Sequence, residues 1–249
     1  MTETARLPQY VIAGLGQTGL SCVRYLQQQS VAFKVWDTRA GFSVSEELAA
    51  QVNADITCGE LPQHYWQGVT HLVLSPGIAT DLPEVTRARQ AGVSVIGDIE
   101  LFAHAVNQPV IGITGSNGKT TVTLLTTHIL QQLGVNAIAA GNVGLPALDS
   151  LQHKADISVL ELSSFQLETT RSLALSAGAI LNISADHLDR HHTLAAYSEA
   201  KQRIFDHCRV AVVNRDDSNT MPMTAVETKV ATGLTPASED FGWDAASQT

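Results

Sequence analysis

Short apolar runs alternate with longer amphipathic stretches from residue 10 to residue 214. That alternation predicts βαβ units on a mostly parallel sheet, so the fold class is α/β. In the first part the runs predict strands at 10–13, 31–36, 55–58, 71–74 and 93–96, and helices at 18–29, 82–91 and 98–106. Pro83 falls in a first turn, where its missing N–H costs nothing, and Asp98 offers an N-cap. Asn107-Gln108-Pro109 interrupts the pattern, because proline disfavours helix in the residue before it, and a fresh strand begins at once. The expected domains are therefore 1–107 and 108–249. The second has predicted strands at 110–114, 135–140, 157–161, 179–183 and 210–214, with helices at 119–133, 163–175 and 194–207. After Asp217 the sequence turns rich in Ser, Thr, Pro, Ala and Gly, and no closing element is recognisable.

Composition narrows the class without changing it. With 249 residues, 44% hydrophobic and 16% charged, the chain can bury a substantial core. Residues 1–8 show no basic stretch followed by an apolar core, and no run approaches the length of a membrane span, so a cytoplasmic protein is expected. Cys22, Cys58 and Cys208 are odd in number and far apart, which argues against a disulfide framework or a structural zinc site. A net charge of −9 opposes broad contact with a phosphate backbone, so no nucleic-acid partner is expected.

The strongest chemical signal is Gly115-Ser116-Asn117-Gly118-Lys119-Thr120, between the strand at 110–114 and the helix at 119–133. Glycines let successive N–H groups turn inward, and the helix start adds positive partial charge. Lys119 can reach terminal phosphates, and the Thr120 hydroxyl can sit on Mg²⁺. The longer phosphate-loop pattern wants glycine at position 113, where Ile113 stands. A Gly-rich turn without ligand is the bland alternative.

Gly14-Leu15-Gly16-Gln17-Thr18-Gly19 follows the first strand, and Asp37 ends the second, which is the dinucleotide fingerprint in its expected setting. The same geometry binds any diphosphate-linked nucleotide, and a purely structural tight turn also fits. Ser75-Pro76-Gly77 ends another strand on the side where ligands of such sheets collect. Asp37-Thr38-Arg39 offers an acceptor, a hydroxyl and a planar cation in succession. Glu161, at a strand end beside the phosphate loop, is placed to meet Mg²⁺. Asp186-His187-Leu188-Asp189-Arg190-His191-His192 is dense in ligand types but lacks zinc spacing, so a polar loop is the alternative. Lys201, on a helix with Arg203, reads unaided as part of a solvated face.

These motifs arrive in an order that resembles the Mur ligase family. The resemblance rests on Gly115–Thr120, on Glu161-Leu162-Ser163-Ser164-Phe165-Gln166-Leu167-Glu168, on Asp186-His187-Leu188-Asp189 and on Lys201. The Gly14–Gly19 turn with Asp37-Thr38-Arg39, and Gly97-Asp98-Ile99-Glu100-Leu101-Phe102, are like the D-glutamate-adding branch. The family's own phosphate loop is the shorter form, so Ile113 fits it.

The resemblance implies a Rossmann-like UDP-substrate domain at 1–107 and an incomplete P-loop ATP-binding central domain at 108–249, with the C-terminal domain absent. It implies an ATP-dependent ligase of peptidoglycan precursor synthesis that joins D-glutamate to UDP-N-acetylmuramoyl-L-alanine through an acyl phosphate, acting as a monomer. Gln17, Thr18, Asp37, Thr38, Arg39, Ser75 and Gly77 would surround the UDP moiety, and Asn142 and Ser163 the rest of the substrate. Gly115, Ser116, Asn117, Gly118, Lys119, Thr120 and Thr121 would hold ATP, with Lys119, His187 and Lys201 as the catalytic set. Thr120 and Glu161 would bind a first Mg²⁺, and His187 with a carbamylated Lys201 a second. Two other functions compete: a non-catalytic UDP- and ATP-binding fragment of such a ligase, and an NAD-dependent oxidoreductase built on the first fingerprint.

Overall fold

Near-continuous apolar strands need cover on both faces, and helices returning between parallel strands supply it. The computed structural model, which describes residues 9–234 and 241–242, has that organisation in two units, Met1–Leu101 and Phe102–Thr249.

The first unit runs β1 (Gln9–Ala13), α1 (Gln17–Gln28), β2 (Phe33–Asp37), α2 (Glu46–Val52), β3 (Ile56–Cys58), β4 (Val69–Leu74), α3 (Pro83–Gln90) and β5 (Ser94–Ile96). Its parallel sheet has the order β3-β2-β1-β4-β5, the doubly wound arrangement, with its ligand crevice at the carboxyl ends where β1 meets its neighbours. Val11, Leu72, Leu74 and Val95 of the sheet pack with Val85 and Ala88 of α3 and with Trp36 and Trp66. All five expected strands and the helices at 18–29 and 82–91 are present within two residues of their expected ends. The unanticipated α2 has only Val52 buried and so carries no apolar stripe. Local chemistry makes it: the Ser45 side chain caps Leu48 N–H at 3.2 Å, and Glu46 and Glu47 occupy the first turn.

α4 (Asp98–Ala105) leads into the second unit. There follow β6 (Val110–Thr114), α5 (Lys119–Gln132), β7 (Ala137–Gly141), α6 (Ala147–Ser150), β8 (Ile157–Glu161), α7 (Ser164–Glu168) and β9 (Leu175–Ile180). Then come α8 (Leu188–His191), α9 (Leu194–Gln202), β10 (Cys208–Asn214), β11 (Thr228–Gly233) and β12 (Phe241–Gly242). The parallel sheet order is β12-β11-β10-β9-β6-β8-β7, with β6 between β8 and β9.

Four expectations are corrected here. The helix expected at 163–175 ends at Glu168, where the Thr169 and Thr170 hydroxyls fold back onto the Gln166 carbonyl at 3.2 and 2.7 Å. The strand expected at 179–183 begins at Leu175, because its small residues Ser176 to Ala179 are set by pairing with β6 and β10 rather than by propensity. The tail after Asp217 contains β11, which extends the sheet beside β10. The helix expected at 194–207 also gives way after Gln202 to a 3-10 turn, Arg203–Phe205.

Candidate nucleotide-binding site

In the second unit, β6 ends on buried Thr114, whose hydroxyl donates to the Leu162 carbonyl at 2.7 Å, and the chain then wraps through Gly115–Gly118 into α5. Gly118 caps that helix with φ of +84°, a conformation L side chains rarely adopt. Two residues just beyond the end of β9 grip the loop. The Asn117 N–H donates to Asn182 Oδ1 at 2.9 Å while Asn182 Nδ2 donates back to the Asn117 carbonyl at 3.0 Å. Ser116 Oγ donates to the Ser184 carbonyl at 3.0 Å and accepts from Ser184 N–H at 2.9 Å. Backbone geometry of this kind presents N–H groups and a helix start to an anion.

Two lysines converge behind the loop. Lys119 Nζ donates to the Gly115 and Ser116 carbonyls at 2.9 Å each, and Lys201 Nζ donates to the same Gly115 carbonyl at 3.0 Å and to Thr114 Oγ1 at 3.2 Å. Lys201 is only 1% exposed, so it is no part of a solvated face. Burial, and then the neighbouring Lys119 charge, push its ammonium down to about 7. Sequence reasoning did not single out Tyr197, which is fully buried, lies under Lys201 Nζ at 4.6 Å from its ring centre, and meets Ser116 Oγ at 3.2 Å.

Glu161 closes the opposite side. Buried at the end of β8, its carboxylate accepts from Thr120 Oγ1 at 2.7 Å and from Asn142 Nδ2 at 2.8 Å. A carboxylate and a hydroxyl in contact at the mouth of the loop are hard oxygen donors, which fit Mg²⁺. Among the described residues no group of three or more His, Cys, Asp or Glu gathers as a metal cluster. Thr121 is exposed in the first turn of α5. His187 is half-exposed, with Asp186 3.5 Å away and its ring near Phe165 and Tyr197 at 5.0 and 6.3 Å. Ser163 caps α7 in a capping box with Gln166. The structure therefore gathers the loop, Asn142, Glu161 and Lys201 directly, and brings His187 to them through aromatic neighbours.

In the first unit the Gly14–Gly19 turn is braced by Asp37. Its Oδ2 accepts from Leu15 N–H at 3.0 Å and Arg39 Nη2 at 2.9 Å, while Oδ1 accepts from Arg39 Nε at 2.8 Å and Arg39 N–H at 3.1 Å. Those hydrogen bonds, chiefly from the Arg39 side chain, hold this buried carboxyl below its ordinary range. With four donors on it, Asp37 orders the turn and the arginine, and has no spare lone pair for a ribose hydroxyl. Arg39 itself is exposed, its guanidinium 3.8 Å over the Phe42 ring. Exposed Thr38 lines a cleft of about 200 Å³ with Trp36, Gly59 and Leu82. Gln17 and Gly77 are exposed, Thr18 and Ser75 half-buried, and Ser75 Oγ packs against Gly14.

Gly19 is required by space. A Cβ there would lie 1.8 Å from the Gly14 carbonyl oxygen, closer than any real contact. Gly19→Ala is expected to destabilise the first unit by about 3 kcal/mol, the upper end for forced overpacking, because backbone rather than a flexible side chain must move. Urea unfolding would check this, and a change below about 0.5 kcal/mol would contradict the turn geometry.

Residues 113–247 match the Mur ligase middle domain, and residues 8–97 match the Mur ligase MurD-like N-terminal domain. The chain is 46% identical over 244 residues to the UDP-N-acetylmuramoylalanine--D-glutamate ligase of Aliivibrio salmonicida, covering 97% of this chain and 54% of that protein. Against the ligase of the same name from Vibrio parahaemolyticus it is 49% identical over 224 residues, 89% of this chain and 51% of that protein. The chain thus spans about half the length of the curated relatives it matches. Among solved structures, the UDP-N-acetylmuramate:L-alanyl-gamma-D-glutamyl-meso-diaminopimelate ligase from Neisseria meningitides superposes with a TM-score of 0.59 at 14% identity, covering 91% of this chain and 78% of that one. A murein peptide ligase from Psychrobacter arcticus gives 0.54 at 16% identity, over 90% and 53%. These two support the fold alone. With both domain matches in sequence order along it, the chain belongs to the Mur ligase family.

Proposed function

We propose that this chain is the UDP-substrate-binding domain, 1–107, and the ATP-binding central domain, 108–249, of a cytoplasmic, monomeric ligase that adds D-glutamate to UDP-N-acetylmuramoyl-L-alanine. The observation that carries the reading is the convergence of Lys119, Thr120 with Glu161, and buried Lys201 on one phosphate loop. The curated ligases that the chain resembles at 46–49% identity carry that specific reaction in their names.

In this reading the substrate carboxylate attacks the γ-phosphate of ATP, giving an acyl phosphate and ADP. The amine of D-glutamate then displaces phosphate and forms the amide. Both steps build negative charge on the phosphoryl group, so the work of the protein is positioning and electrostatic stabilisation. Lys119 and the loop amides hold the phosphates, and Tyr197 and Asn182 fix the loop. Thr120 and Glu161 would hold one Mg²⁺, and His187 with Lys201 a second, each ion neutralising phosphate charge when bound. A lysine that loses its proton near pH 7 has a free amine at neutral pH. That amine can add to CO₂, losing a proton, to give a carbamate oxygen ligand. Gln17, Thr18, Thr38, Arg39, Ser75 and Gly77 would receive the UDP moiety, with Asp37 holding Arg39 in place, and Asn142 and Ser163 the remainder of the substrate. The engagement of Asp37 by four donors counts against the NAD-dependent oxidoreductase.

The alternative reading is a UDP- and ATP-binding fragment without turnover, which uses the same turn and phosphate loop. Incubating this chain with ATP, UDP-N-acetylmuramoyl-L-alanine and D-glutamate separates the two. ADP release that requires both substrates supports the ligase, and nucleotide binding without it supports the fragment. If neither ATP nor the UDP substrate binds in calorimetry, both readings fail.

A further inference from the structure

One buried constellation is left over from the proposed chemistry. His191, 6% exposed, sits between two elements: its Nε2 is 2.9 Å from Ser164 Oγ, and its Nδ1 is 3.3 Å from Glu168 Oε1. An ionised carboxylate only accepts, so the proton belongs on Nδ1, and Nε2 accepts from the serine hydroxyl. The serine–histidine–carboxylate order resembles a hydrolytic triad, but Ser164 is 2% exposed and no substrate reaches it. The arrangement ties elements together instead. The His191 ring stacks on Phe165 of α7 at 5.3 Å and 11°, and meets the Tyr197 ring of α9 at 5.2 Å.

What it ties down is a strained segment. His187 and His192, at either end of the four-residue α8, have φ of +52° and +64°. Side chains adopt such angles only where surrounding structure over-determines them. His191 supplies that constraint, helped by Arg190, which lies 4.8 Å over Phe165 and 3.6 Å from Glu168.

We propose that His191 is a positioning residue: by linking Ser164 and Glu168 of α7 to Tyr197 of α9 it fixes the 186–192 segment, and so sets His187 at the mouth of the phosphate loop. Its consequence for metal binding rests on the reading of His187 as an ion ligand.

The test uses this chain with a non-hydrolysable ATP analogue and Mn²⁺ as the probe ion. His191→Phe keeps the ring stack and removes both polar contacts. It is expected to weaken the second Mn²⁺ about tenfold, as loss of outer-shell partners does, while the first Mn²⁺ and the nucleotide change by less than about twofold. His191→Gln, which retains an amide within reach of Ser164, should recover part of that loss. Long-range ¹H–¹⁵N spectra of the native chain should show the Nδ1–H tautomer. Unchanged Mn²⁺ binding, uniform weakening of both ions and nucleotide, or an Nε2–H tautomer would each overturn the proposal. If the native chain takes only one Mn²⁺, the two-ion reading fails. Hydrogen exchange over 186–192 then decides: faster exchange in the variants supports positioning, and unchanged exchange refutes it. Should His191→Phe not fold, the same readings on His191→Gln stand.

Discussion

Lys119→Ala is expected to lower ligase turnover of the full-length protein by about 10²–10³-fold while leaving its affinity for the UDP substrate within about twofold. Lys119 Nζ rests on the Gly115 and Ser116 carbonyls, held within reach of anything seated on the loop. In the proposed reaction the protein has little covalent work, so one preorganised cation at the γ-phosphate would carry a large share of the stabilisation. Removing one such donor costs about 10²–10³ in rate, or roughly 3–4 kcal/mol. Arginine should not restore it, because a planar guanidinium cannot occupy the place of a compact ammonium that donates to two carbonyls of its own loop. In the proposed function the UDP substrate would meet the Gly14–Gly19 turn and Arg39, whereas the Lys119 ammonium donates to Gly115 and Ser116. Steady-state kinetics beside calorimetry of the UDP substrate would check both halves. Turnover within about tenfold of native would remove Lys119 from the mechanism, and equal loss of UDP-substrate affinity would point to a folding defect.

Much of this site was legible because its parts are local. A phosphate loop needs a strand, a glycine turn and a helix within about twenty residues, and Val110–Gln132 contains all three. Glu161 could be read from its place at the end of an apolar run. Lys201 could not: its helix has ordinary polar neighbours, and nothing in the spacing shows that β6 and α9 bring it 3.0 Å from Gly115. Tyr197 and His191 escaped for the same reason, since their meanings lie in partners far away in sequence, Ser116 and Ser164. The start of β9 was misplaced because Ser176-Ala177-Gly178-Ala179 has no strand signal of its own. Small side chains there suit a crowded neighbour, as a Cβ on Gly178 would lie 3.0 Å from Cys208 Sγ. The acceptor inventory of Asp37 was equally invisible: the fingerprint predicts the carboxylate, but only the fold shows that Leu15 and Arg39 already fill it.

Lys201→Met is expected to stabilise the chain at pH 6.5 by about 2–4 kcal/mol, with the advantage shrinking as pH rises. The cause is the buried ammonium. In the fold Lys201 gives up its proton near pH 7, whereas in the unfolded chain it keeps it to near 10.5. Below pH 7 both states are protonated and the cost of the buried charge is fully present. Between about 7 and 10.5 the unfolded state binds more protons, so native stability climbs with pH, and above that range the cost is gone. The full interval corresponds to on the order of 5 kcal/mol, an upper bound on what methionine, close in volume and uncharged, can recover. The substitution strands no partner: Thr114 Oγ1 still donates to the Leu162 carbonyl, and the Gly115 carbonyl still accepts from Lys119. Urea unfolding of both proteins at pH 6.5, 8 and 9.5 reads the difference directly, because the titrations of groups remote from Lys201 cancel between them. Parallel stability curves would mean that Lys201 stays charged in the fold. The free amine on which the carbamate depends would then be missing at neutral pH. Convergence of the curves, together with loss of ligase turnover in the same variant of the full-length protein, would show that the fold accepts a stability cost at this position for the sake of a reactive lysine beside the phosphate loop.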